Sequence, residues 1–155
     1  MNFQITGLPA DRFVPLYALG ARALAARGVE TRTADAPNAY PCRVSLEDAL
    51  PGEELLLLSW PHLPARGPYA SSGPIFVRRH AATAQVAAGT VPGQQRRRLL
   101  SVRAYDDRDY LIDADVAPGA GLEALIERFF GDPSVSYLHV HNARHGCYAC
   151  RVNRA

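Results

Sequence analysis

A chain of 155 residues, 48% hydrophobic and with a formal charge of only +2, carries enough apolar mass for one buried core and too weak a field to hold nucleic acid by charge. All 17 basic side chains are arginine, which excludes Schiff-base chemistry, pyridoxal-phosphate attachment and a lysine-bearing phosphate loop. No apolar run reaches membrane-spanning length, and three cysteines, an odd count, fit reduced thiols or metal ligation better than a disulfide framework.

The opening "MNFQITGLPADRF" lacks a basic start followed by an apolar stretch, so no secretory leader is expected and a cytoplasmic location is the default. "NFQITG" alternates Phe3 and Ile5 with polar neighbours and predicts a strand. "LPADRF" opens a helical turn that Pro15 interrupts, and "GARALAARG" reads as a short helix ended by Gly28. "VETRTA" is a candidate strand. "DAPNAYP" is a loop delivering Cys42 and Arg43 to "SLEDAL", where Ser45 and Asp48 resemble a helix capping box. "EELLLLSW" is a buried strand by its continuous apolar run. Residues 61–73, rich in Pro, Gly and Ser, read as a long loop before the strand "PIFVRR". Residues 80–95 show no period and read as a flexible surface excursion. Arg96, Arg97 and Arg98 read as a solvated loop-to-strand edge in preference to a phosphate contact.

The second half is more regular. "RLLSVRAY" and "YLIDADV" alternate around "DDRD" and predict a hairpin. Leu122, Leu125, Ile126, Phe129 and Phe130 share one helical face, with Gly131 and Pro133 ending the helix. That face is expected to bury against Val102, Ile112 and Val140. "SVSYLHVHN" and "CYACRV" form a second hairpin across "ARHG". The resulting architecture is α+β: a single domain over residues 1–155, with a largely antiparallel sheet, free to curl, and two or three short helices. Alternation sets Ser101 and Arg103, Asp113 and Asp115, and Tyr137, His139 and His141 on a polar face opposite the apolar one. A solvated sheet face would carry such groups too, but paired His and paired Asp are unusual there.

The stretch "HVHNARHGCYAC" concentrates three histidines and two cysteines. Cys147 and Cys150 have zinc-knuckle spacing, and Cys42 with one histidine would complete a set. Tyr148 and Ala149 do not favour the tight curl a knuckle needs, and strand residues three apart point to opposite faces. A second metal reading pairs His139 and His141 with Asp113 or Asp115 for iron or manganese. A thioredoxin-type dithiol belongs at a helix start, which this stretch is not. The thiol reading uses a four-residue turn over 143–146. It pairs Asn142 with Cys147 and sets Cys150 on the histidine face, while Cys147 turns away. The bland alternative is that buried thiols are small and inert.

The segments "YPCRVSLEDALPGEELLLL", "SSGPIFVR", "RLLSVRAYD" and "HVHNARHGCYACRV", in this order, resemble the bacterial domain-of-unknown-function family numbered 1203, from about residue 38 to the end. The resemblance implies a compact bacterial domain and brings no catalytic residue or cofactor with it. The residues themselves nominate Cys150, His139 and His141 as catalytic, and Cys42, Arg43, Asn142 and Arg144 as holding a small anionic ligand, with no metal, nucleic-acid or membrane partner. The "YPCR" loop is then expected to approach the terminal hairpin, since working groups gather on loops set by a scaffold. The rival is an interaction module without chemistry, in which these groups only order loops, or a structural zinc domain using Cys42, Cys147, Cys150 and a histidine.

Overall fold

The computed structural model describes residues 2–155 and contains eight strands and four short helices. Five strands form an open antiparallel sheet in the order β1 (Phe3–Thr6), β8 (Tyr148–Arg154), β7 (Tyr137–Asn142), β5 (Leu99–Tyr105) and β6 (Leu111–Pro118). The other three, β2 (Glu30–Thr33), β3 (Glu54–Leu63) and β4 (Ser71–Arg78), form a separate antiparallel sheet. The expected α+β class holds, as two open sheets. The helices are α1 (Val14–Tyr17), α2 (Ala21–Ala25), α3 (Gly93–Arg96) and α4 (Leu122–Phe130). None is long and apolar enough to cross a membrane. Pro15 opens α1 and does not interrupt it, since its missing N–H is unneeded in a first helical turn.

The first core lies between the large sheet and α4. Leu100, Val102, Leu138, Val140, Cys150 and Val152 meet Leu122, Leu125, Ile126, Phe129 and Phe130, all buried. Ile112 does not join them. Val102 pairs with Asp115 and Ala104 with Asp113, so the aspartates take the α4 side of β6 and Ile112, 39% exposed, stays outside the core. Arg128 of α4 meets Asp115 at 2.8 Å on that side. The alternation within β6 was read correctly, but an edge strand has no second neighbour to enforce which face points inward.

A second core sits on the small sheet. Phe13, Leu24, Val44, Leu56, Leu58, Ile75 and Val77 cluster there with Cys42 and with Tyr148 of β8. The run "ELLLL" serves two sides, with Leu55 in a small cluster of its own behind the sheet. As a result β7 is buried along its whole length, so the polar face is covered at its centre, while Arg103 and Arg151 on either side stay half-exposed.

Residues 45–50 are not helical. Pro41 bridges Asp48, Leu46 is left-handed (φ 54°), and the Asp48 carboxylate is drawn to Arg97 at 2.7 Å and Arg98 at 2.6 Å. Arg96 pairs with Glu123, so the arginine run is tied to acids. The loop expected over 61–73 is shorter, because β3 runs to Leu63 and β4 starts at Ser71. The segment after residue 80 is a pinned strap. Ala84 N–H donates to Val44 O (2.9 Å), Gly89 N–H to Phe3 O (2.8 Å) and Gln4 Nε2 to Val86 O (2.6 Å), and Gln94 and Gln95 are buried. Its lack of periodicity reflects an extended chain held by backbone bonds, which need no side-chain pattern.

The strap closes against Gly119, where a Cβ would lie 2.0 Å from the Gln95 carbonyl oxygen and 2.6 Å from Arg96 backbone atoms. Gly119→Ala is expected to destabilise the fold by about 1–3 kcal/mol in urea titration, as overpacking does. An unchanged midpoint would mean that the strap yields freely at this point.

Candidate functional site

The site begins with the turn between β7 and β8. Gly146 adopts φ 76°, its N–H donates to Asn142 O (2.7 Å), and Asn142 N–H donates to Cys147 O (2.9 Å). The expected pairing of Asn142 with Cys147 is therefore present. Beyond it a β-bulge shifts the register: His141 pairs with Tyr148, Val140 with Cys150 and His139 with Arg151. One extra residue on β8 flips every side chain after it. Cys150 consequently faces α4, away from the histidines, and is 1% exposed among the apolar residues of the first core. Burial pushes its thiol up to about 12, so it stays protonated. The expected place of Cys150 on the histidine face is thus corrected.

The cysteine that meets a charged side chain is Cys147. Arg43 reaches it from the "YPCR" segment, with Nη2 donating to Cys147 Sγ at 3.1 Å, while Asn142 Nδ2 lies 3.7 Å from the same sulfur. Arg43 also donates through Nε to Tyr148 O (2.7 Å) and through Nη1 to Pro41 O (2.5 Å). The expected approach of this loop to the terminal hairpin is present. Arg43 is only 2% exposed, and no carboxylate among the described residues pairs with it. Cys42, the neighbouring residue, is not part of this pairing. Its Sγ accepts the N–H groups of Arg78 (3.3 Å) and Ser45 (3.5 Å) inside the second core. Arg144 lies exposed in the turn, whereas Arg43 is buried. All three cysteines are free, and their sulfurs occupy three different environments.

The second part of the site is the face of the large sheet opposite α4. Register sets its side chains in three rows across β5, β7 and β8: Ser101–His141–Tyr148, Arg103–His139–Arg151 and Tyr105–Tyr137–Asn153. His62, near the end of β3, closes over them. Its ring stacks on Tyr148 (5.3 Å, 11°) and meets His141 edge-on at 5.1 Å and His139 at 6.0 Å. His139 and His141 are each 1% exposed. Burial, followed by the charge of Arg151, holds His139 down at about 3; burial holds His141 down at about 4, against the partial support of the Gly146 carbonyl. His62 is lowered for the same leading reason, burial, with Arg103 next. All three imidazoles are therefore neutral at neutral pH. His141 Nδ1 lies 3.0 Å from Gly146 O, an acceptor, so it carries the proton and leaves Nε2 as a bare lone pair. That Nε2, with Nδ1 of His62 and Nδ1 of His139, is buried without a partner.

Neither metal reading survives this geometry. Asp113 and Asp115 are on the opposite face from His139 and His141. Among the described residues no three His, Cys, Asp or Glu side chains are arranged to hold an ion. A broad open groove of about 1020 Å³ also passes Arg78, Arg79 and Arg97, but these are matched with Glu53, Glu54 and Asp48 and have little left to offer a ligand. Sequence reasoning missed His62 and Arg151. His62 falls in the span that reads as a loop, and only the bulge brings Arg151 to the histidine face in place of Cys150.

The structure thus defines an open two-sheet α+β protein with a thiol–guanidinium pair beside a buried histidine array. The chain belongs to the family described as a protein of unknown function (DUF1203), whose model matches residues 39–154. No curated protein and no solved structure matches it.

Proposed function

We propose that this protein acts through Cys147 as a thiol nucleophile supported by Arg43. One observation carries the reading: Arg43 is buried, has no carboxylate, and places Nη2 3.1 Å from the Cys147 sulfur. A buried charge needs a partner of opposite sign. Cys147 Sγ is the one group bonded to Arg43 that is able to become an anion; the others are backbone carbonyls. A sulfur held this way by a guanidinium is positioned as a nucleophile without an imidazole beside it, and Cys147 pairs with Asn142 ahead of the bulge. In the reaction the sulfur's electron pair forms a bond to an electrophilic centre of a small substrate, and the leaving group departs with its own pair. Asn142 Nδ2 donates a second, longer contact to the same sulfur. A reducing bacterial cytoplasm completes the reading, since free thiols persist there.

The test is alkylation of the native protein by iodoacetamide followed by mass mapping. Cys147 should label first, at least about tenfold faster than glutathione at the same pH, while Cys42 and Cys150 remain protected until unfolding. Arg43→Lys, with its fold checked by circular dichroism, should slow the labelling. A Cys147 rate no greater than that of glutathione would instead favour the rival reading, in which Arg43 simply ties the Pro41 and Tyr148 carbonyls together.

A further inference from the structure

We propose that the Arg103–His139–Arg151 row, roofed by His62, binds a small oxyanion that still carries a proton, of the hydrogen-phosphate type. The proposal does not depend on the chemistry of Cys147. Arg103 and Arg151 pair directly across the sheet with His139, one on each side. Directly opposed residues have Cβ atoms about 4.5–5.5 Å apart, so two guanidinium stems rise on either side of one imidazole. Eight other arginines are matched with carboxylates, but these two are not.

Their own contacts leave donors free. Arg151 donates Nε to Asn153 Oδ1 (2.8 Å) and stacks 3.6 Å over the Tyr137 ring, which fixes the fork without engaging its terminal amines. Arg103 lies near Tyr105, where its charge partly offsets the upward push of burial on the phenol. Two half-buried cations flank an uncharged histidine, the nearby Asp109 carboxylate accepts from the Tyr137 hydroxyl and pairs with neither arginine, and forked guanidinium donors match a tetrahedral oxyanion. The unpartnered ring nitrogens add the finer selection. Nδ1 of His139 and of His62 are buried without partners, and a neutral imidazole offers one donor at most. His141 Nε2 has its tautomer set by Gly146 O, so it accepts and does not donate. A fully ionised anion would repel that lone pair, whereas an O–H group satisfies it. Hydrogen phosphate supplies both the oxygens for the arginines and the O–H for His141; sulfate supplies only the oxygens. The surrounding guanidiniums also weigh against a bare metal cation in the same space.

Titration calorimetry of the full chain with inorganic phosphate, sulfate and glycerol 3-phosphate tests this at about pH 5.5, below the second pKa of a phosphate monoester, where phosphate and monoester alike keep an O–H and sulfate has none. Phosphate or its monoester should bind at least about fivefold tighter than sulfate. Monoester preference would mark the anion as the head group of a larger molecule, and inorganic-phosphate preference would mark the free ion; either ranking supports the site. Arg103→Gln and Arg151→Gln, both at half-buried positions, should each weaken binding about tenfold or more. Cys147→Ser should leave it intact, which separates this site from the thiol. Imidazole ¹⁵N resonances of His139 and His141 should shift on adding phosphate. Absence of phosphate binding at millimolar concentration, binding indifferent to both arginine variants, or sulfate binding equal to phosphate would overturn the proposal.

Discussion

Replacing Phe129 by alanine is expected to destabilise the fold by about 3–5 kcal/mol, the range for truncating a buried aromatic residue. Phe129 is 3% exposed, on the face of α4 that it shares with Leu122, Leu125 and Ile126. The other wall of that core is the inward side of β5 and β7, so its ring joins elements distant in sequence. The helix is only nine residues long and could not persist without this packing. Its last carbonyl, that of Phe130, accepts from Arg154 (2.9 Å), which also donates to Asp132 O just beyond the helix (2.8 Å). A cavity at Phe129 has little means of collapsing, because Val102 and Val140 opposite it belong to a sheet fixed by neighbours on both sides. Urea unfolding followed by circular dichroism reads the loss. A change below about 1 kcal/mol would show that α4 is not the wall of this core.

What was legible in the sequence follows from periodicity. The α4 stripe and the β5–β6 and β7–β8 hairpins each rest on many residues repeating one pattern, and all three elements form, although β6 turns its other face to the core and β8 carries a bulge. The local signals that failed were single exceptions. Ser45 and Asp48 have capping-box spacing, yet Arg97 and Arg98, some fifty residues away, claim the aspartate. The bulge at the start of β8 has no glycine to announce it, and it exchanged the positions of Cys150 and Arg151 relative to the histidines. The same slip hid the site's charge. Arg43 and Cys147 could be suspected of meeting, and they do, but the Arg103–His139–Arg151 row becomes visible only once three strands are in register. The cover over the histidine face was equally hidden. It depends on how a second sheet folds back, bringing in His62 from a segment rich in proline that looked like a loop.

That cover makes the protein sensitive to acid. Unfolding stability is expected to fall as pH drops from about 7 towards 5, before most carboxylates titrate. The unfolded chain binds protons at its histidines near 6.5, whereas folded His139 and His141 resist to about 3 and about 4. Groups with a depressed folded value contribute stability that is full above 6.5 and lost as pH falls towards the folded values. At about pH 5 each histidine is mostly protonated in the unfolded chain and mostly neutral in the folded one, a loss of about 2 kcal/mol apiece. The pair together loses less than twice that, because the charge of one histidine is part of what lowers the other. His62, Arg103 and Arg151 face the same imidazoles and oppose their protonation, while no carboxylate is among the causes acting on either. Asp106, Asp115 and Asp132 are held below their ordinary value by hydrogen bonds, so they stay ionised throughout this window. Urea midpoints measured across the range should decline towards acid, and His139→Gln should flatten the slope. A midpoint independent of pH would show that the imidazoles reach solvent and that the face between the sheets is open.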